Sequence, residues 1–130
     1  AASQTDDEGT KKYGIVEGVE VEPNVLQLKS YMEKPGPEAT SSRTAVLGAY
    51  LFTPEIFDHL KRTKPGKGGE IWLVDAISEL QTTRPVYVKK IDGRYYDTGS
   101  KLGWLRANVE LGLQHPDFGG PFRDILKEVK

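Results

Sequence analysis

A mixed α/β domain, one sheet with flanking helices, is the fold class that the sequence predicts, and three observations point to it. The stretches 13–21 and 25–33 alternate with a period of two, as half-buried strands do. The stretches 55–62 and 101–114 carry apolar residues at helical spacing. The resulting order, β-β-β-α-α-β-β-α-α, belongs to neither a helical bundle nor a β-sandwich.

Each element has its own justification. Residues 1–12 are polar and lack an apolar core of the signal-peptide type, so they read as a flexible lead-in. Tyr13 to Val21 is rich in β-branched residues and reads as a strand broken at Gly18. Glu22-Pro23-Asn24 marks a turn. Val25 to Glu33 puts Val25, Gln27, Lys29, Tyr31 and Glu33 on one face and Leu26, Leu28, Ser30 and Met32 on the other. Lys34 to Arg43, with two prolines and small polar residues, reads as a loop. Ala45 to Phe52 is a continuous apolar run, which suits a strand buried on both faces.

Thr53 is expected to cap a helix over 55–62, with Pro54 in its first turn and Ile56, Phe57 and Leu60 buried. After the Gly/Pro loop 63–69, a second helix is predicted over 70–80, its face built on Ile71, Val74, Ile77 and Ser78. Residues 86–91 read as a strand, Asp92-Gly93 as a hairpin turn, and 94–97 as the returning strand. Thr98 or Ser100 is placed to cap a helix over 101–114, which His115-Pro116 ends. A Gly-Gly-Pro break then precedes a short helix over 122–129. The domain reading is therefore a lead-in (1–12), a folded body (13–116) and a C-terminal tail helix (117–130).

Composition removes several function classes. The 130 residues suit one compact domain. With 37% hydrophobic and 28% charged residues, the chain can build a core. A formal charge of −1 argues against a nucleic-acid binder, which would normally show a basic excess. The absence of cysteine excludes disulfides, thiol catalysis and Cys-ligated metals, and it fits a cytoplasmic protein. No run approaches the ~18 apolar residues of a membrane span, so no membrane partner is expected.

Few segments can carry chemistry. His59 and His115 read as surface or helix-end residues, too isolated for a Ser-His-Asp arrangement. Gly66 to Glu70 is glycine-rich, but Glu70 at a helical first turn would already use the positive field there, so a structural turn is expected. Two segments remain. In Met32-Glu33-Lys34-Pro35, a carboxylate beside an ammonium can bind sugar hydroxyls with one group and a phosphate with the other; a surface charge pair before a proline turn is the alternative. In Tyr95-Tyr96-Asp97-Thr98-Gly99, Asp97 is suited either to a hard cation such as Mg²⁺ or to capping the turn.

Taken in order, YGIVEG, EKP, AVLGAYLFTPEIFDHL, TKPGKGGEIWLVDAI and PVYVKKIDGRYYDTGSKLGWLRANVELGLQHP resemble the C-terminal portion of the bacterial UTP–glucose-1-phosphate uridylyltransferases, within the sugar-nucleotidyltransferase family. The resemblance covers about residues 13–116. It implies the C-terminal part of a nucleotide-diphospho-sugar transferase fold, which is Rossmann-like. It implies Gly14 against the sugar, Glu33 on sugar hydroxyls, Lys34 on the sugar phosphate and acting in catalysis, Gly48 and Tyr50 lining the sugar pocket, and Asp97 on Mg²⁺. The substrates implied are glucose 1-phosphate and UTP; a thymidylyl donor is the alternative within the family.

The family's Gly-rich G-x-G-T-R loop, its downstream Lys and its second metal-binding Asp have no match in the sequence. Little or no activity is therefore expected of these 130 residues alone. A companion chain carrying the nucleotide-binding half, or a homo-oligomer formed through an exposed sheet edge, is the expected partner. A non-catalytic sugar-phosphate-binding or oligomerisation module is the alternative from another class.

Overall fold

The computed structural model describes residues 1–129, Lys67 by its backbone alone. The chain divides into two compact units, Ala1–Asp92 and Gly93–Lys130.

The first unit contains five strands: β1 (Ala2–Gln4), β2 (Gly14–Glu22), β3 (Val25–Glu33), β4 (Thr44–Val46) and β5 (Tyr87–Lys89). They form one sheet in the order β1-β4-β2-β3-β5, and neighbouring strands are antiparallel. The long β2–β3 hairpin is the spine. Pro23 pre-sets the turn, and Asn24 closes it at φ +62°, a left-handed conformation that asparagine tolerates. The expected break at Gly18 is absent: β2 runs through it, and the register shifts there because β3 carries an extra residue, Lys29, between the Glu17–Ser30 and Gly18–Leu28 pairs.

Helices α2 (Ile56–Arg62) and α3 (Leu73–Thr83) complete the core, with α3 packed on β3 and α2 on α3. Ile56, Ala76, Ile77 and Leu80 meet Ala2, Val16, Leu26, Leu28 and Val88 in one buried cluster. Burying one such branched side chain contributes about 1.5–3 kcal/mol. The core therefore comes from Leu26 and Leu28 of β3 together with Ala76, Ile77 and Leu80 of α3. Ile71, expected on that helix face, is exposed. Tyr31, expected on the opposite face of β3 from Leu28, packs on the same core because the extra residue Lys29 switches the alternation.

Several elements depart from the sequence reading. Residues 1–12 build β1 and a short helix, α1 (Asp7–Thr10), rather than a flexible lead-in. Ala2, Gly9 and Thr10 are buried, and Asp6 caps α1 through the Gly9 amide at 2.8 Å. Few side chains there are apolar, so backbone pairing with β4 orders the segment. The expected strand 45–52 stops at Val46. Gly48 turns the chain at φ +69°, leaving Leu51 exposed. Thr53 does not cap α2; its hydroxyl accepts instead from Arg84 at 2.9 Å.

Phe57 lies on the outer side of α2, and His59 is buried in its place. Its Nδ1 lies 3.1 Å from Arg62 and 3.4 Å from the Glu79 carboxylate. Helix α3 begins at Leu73 rather than Glu70, because the Gly66 amide donates to the Glu70 carbonyl at 2.8 Å and holds that residue extended. A 3-10 turn over Lys67–Gly69 fills the loop between. The expected open sheet edge is partly closed, since the Ile91 amide donates to the Ala2 carbonyl at 2.8 Å.

The second unit is helical: α4 (Lys101–Gln114) and α5 (Gly119–Glu128) pack against each other. Ser100 caps α4, accepting from the Gly103 amide at 3.0 Å. Residues 94–97 do not return as a strand. Arg94 and Tyr96 are drawn to Glu110 on α4, at 2.6 and 2.8 Å, which takes the segment out of sheet pairing. Helix α5 starts at Gly119, three residues before the predicted start. Pro121 falls in its first turn, where a missing amide costs nothing. No helix among the described residues is long and apolar enough to cross a membrane.

Candidate functional site

Glu33 is the last residue of β3 and sits directly opposite Gly14, the first residue of β2. Beyond it the chain turns sharply. Lys34 adopts φ +47°, a left-handed conformation unusual for a residue with a Cβ, immediately before Pro35. Its amide donates to the Tyr13 carbonyl at 3.3 Å, and the Gly36 amide donates to the buried Thr10 at 3.1 Å. The turn is thus strapped to the end of α1, so residues expected to be a lead-in support the charged pair.

Farther along the loop, Thr40 donates to Glu17 at 2.6 Å and Ser42 to the Val16 carbonyl at 2.7 Å. These bonds lay residues 40–42 on β2. The result is a carboxylate and an ammonium held side by side, Glu33 Oε1 to Lys34 Nζ at 3.4 Å. Lys34 is the more open of the two, with 58% of its side chain exposed against 28% for Glu33, so the ammonium keeps capacity for an anion.

Tyr31, two residues before Glu33, crosses Gly14. A Cβ on Gly14 would lie 2.5 Å from the Tyr31 ring, 2.8 Å from its hydroxyl and 3.1 Å from Glu33 Oε2. An aromatic ring folded diagonally over a cross-strand glycine restores burial that the glycine cannot supply. The Tyr31 and Tyr50 hydroxyls are 3.0 Å apart, and the Tyr50 ring stacks on Phe52 at 5.5 Å. Burial first, then the bond to Tyr50 and the charge of Glu33, push the Tyr31 phenol well above its ordinary range. A small cavity of about 40 Å³ lies beneath, lined by Tyr31, Tyr50, Phe52, Val16, Leu28 and Val88 among others.

Of the residues singled out from the sequence, the structure gathers Gly14, Glu33 and Lys34 at one strand end and joins Tyr50 to them through Tyr31. Gly48 is exposed, and its left-handed turn directs residues 49–52. Asp97 lies in the second unit, in the turn before α4, where its Oδ1 accepts from the Gly99 amide at 3.1 Å. Gly103 lets α4 pass against the Asp97 carbonyl, where a Cβ would collide. Tyr31 was not singled out. Its place on the face of β3 that carries Glu33 was the available clue, but only the cross-strand register shows that it covers Gly14.

Residues 2–112 match the Nucleotidyl transferase family, and the chain belongs to that family. The chain is 38% identical over 120 residues to a UTP–glucose-1-phosphate uridylyltransferase of Staphylococcus haemolyticus, a match covering 92% of this chain and 42% of that protein. It superposes on a UTP-bound UGPase from Acinetobacter baumannii with a TM-score of 0.84 at 33% identity, over 99% of this chain and 44% of the other. A UDP-glucose pyrophosphorylase complexed with UDP-glucose matches with a TM-score of 0.81 at 33% identity, over 88% of this chain and 43% of the other. The chain therefore spans less than half the length of these relatives, and the fold is that of the nucleotidyltransferases.

Proposed function

We propose that these residues are the C-terminal, sugar-phosphate-binding part of a nucleotidyltransferase that converts UTP and glucose 1-phosphate to UDP-glucose and pyrophosphate. One observation carries the reading: Glu33 and Lys34 are fixed side by side, 3.4 Å apart, at the end of a strand opposite Gly14. The names of the relatives and the UTP and UDP-glucose complexes among the structural neighbours support it.

In this reading Glu33 accepts hydrogen bonds from sugar hydroxyls, and Lys34 holds the sugar phosphate and orients it for attack. Gly14, Gly48 and Tyr50 shape the surface around the sugar. A phosphate oxygen of the sugar forms a bond to the α-phosphorus of UTP as the bond from that phosphorus to pyrophosphate breaks. The chain's residues need supply no covalent nucleophile for such a step.

The carboxylate of Asp97 has the hard oxygen chemistry that suits Mg²⁺, and would serve as one ligand. Among the described residues no three His, Asp or Glu side chains are grouped to hold a metal by themselves, so substrate oxygens would complete the set. Bound there, Mg²⁺ would offset the charge of the phosphates.

A companion chain carrying the nucleotide-binding half, or a further copy of this chain, would complete the enzyme. The exposed Leu102, Leu105 and Leu111 of α4 offer apolar surface for such an association. Calorimetric titration with glucose 1-phosphate tests the reading. Binding by the native chain, lost in Glu33→Ala and in Lys34→Ala, is the expected result; no binding at millimolar sugar phosphate overturns it. With UTP and Mg²⁺ added, the chain alone is expected to release no pyrophosphate. Release at enzyme-like rates would show that these 130 residues are sufficient.

A further inference from the structure

We propose that Tyr31, paired with Tyr50, contacts the hexose and discriminates it by a hydroxyl; this rests on the sugar-phosphate reading of the same site. The Tyr31 ring occupies the space over Gly14 and lies beside the Glu33 carboxylate. A sugar approaching this strand end therefore meets an aromatic face where the sequence suggests bare backbone. The C–H face of a pyranose packs on such a ring while its hydroxyls reach outward.

The hydroxyls supply the polar half of the argument. Two phenols 3.0 Å apart share one hydrogen bond, in which one donates and the other accepts. The accepting phenol keeps its own hydrogen, so the pair has one further donor and spare lone pairs. A tyrosine phenol is protonated at neutral pH, and hence able to donate. Glu33 can only accept in its ionised form, and Lys34 can only donate. The tyrosine pair adds a group that does both, which is what a sugar hydroxyl requires.

Tyr31 is also accessible enough for the role. It is half-buried, and Tyr50 is 42% exposed. In this arrangement Gly14 has a definite part, which is to leave room for the ring that meets the sugar.

The test is calorimetric titration of the 130-residue chain and its Tyr31→Phe, Tyr31→Ala and Tyr50→Phe variants, each with glucose 1-phosphate and with inorganic phosphate. Tyr31→Phe keeps the ring and the fold, and a matching unfolding temperature checks this. It is expected to weaken glucose 1-phosphate by about tenfold, the scale of one lost hydrogen bond, and to leave inorganic phosphate unchanged. Tyr50→Phe is expected to act in the same direction, and Tyr31→Ala to weaken the sugar phosphate further.

A native chain that binds glucose 1-phosphate while Tyr31→Phe binds it within twofold overturns the inference and leaves the site reading intact. Equal weakening of both ligands assigns Tyr31 a purely structural role and overturns it as well. A native chain that binds no glucose 1-phosphate removes both readings together.

Discussion

Glycine meets two different obstacles along β2. At Gly18 an added Cβ would strike the backbone carbonyl of Gln27, which the hairpin cannot move aside; at Gly14 it would strike the far end of the Tyr31 side chain, which can rotate away. Gly18→Ala is therefore expected to destabilise the chain by about 2 kcal/mol in urea unfolding, and Gly14→Ala by clearly less. Lys34 poses the opposite question. A residue with a Cβ at φ +47° is strained by about 1 kcal/mol, and glycine would relieve it. Lys34→Gly is expected to unfold at a urea concentration no lower than the native chain while losing affinity for glucose 1-phosphate. That combination would show strain retained for the sake of an ammonium.

Elements are tied together here by polar clusters as much as by core. Glu110 of α4 accepts from Arg106 at 2.7 Å and from Tyr96 at 2.8 Å, with Arg94 at 2.6 Å. The hydrogen bonds of Arg106 and Tyr96, and then the arginine charges, hold its carboxyl below the usual glutamate range. A carboxyl whose folded value is depressed contributes stability above its unfolded value, and loses it as the pH falls through the folded one. The native chain is thus expected to lose unfolding temperature as the pH drops below about 4.5. In Glu110→Gln this part of the acid loss is expected to be missing, which a pH series of thermal melts measures. The same cluster explains why the Asp92-Gly93 pair does not launch a hairpin. Turn chemistry is local, whereas the claim on Arg94 and Tyr96 comes from Glu110, more than a dozen residues away in sequence.

At the scale of the molecule, residues 1–92 contain the whole buried cluster, which runs from Ala2 to Val88. A chain of residues 1–92 is therefore expected to unfold cooperatively by circular dichroism, since every core contact is retained. In the second unit Ala107 is the only buried residue of α4, while Leu102, Trp104, Leu105 and Leu111 are exposed. With so little apolar surface removed from water, residues 93–129 alone are expected to show weak helicity. Loss of the cooperative transition in the 1–92 chain would instead show that the core depends on the later residues.

Sequence alone determined the β2–β3 hairpin, the span of α4 and the adjacency of Glu33 and Lys34. Each of these is a local matter of side-chain period, turn residues or a peptide bond. Tertiary structure decided where β4 stops, that residues 2–10 are ordered, that His59 is buried, and that the 94–97 segment goes to a helix instead of a strand. It also decided that Tyr31 lies over Gly14. Those outcomes depend on which partner is in reach across the fold: β4 for residues 2–4, Thr10 for the loop after Lys34, Glu110 for Arg94 and Tyr96. Period and propensity describe what a segment can do, and competition among distant hydrogen-bond and packing partners selects what it does.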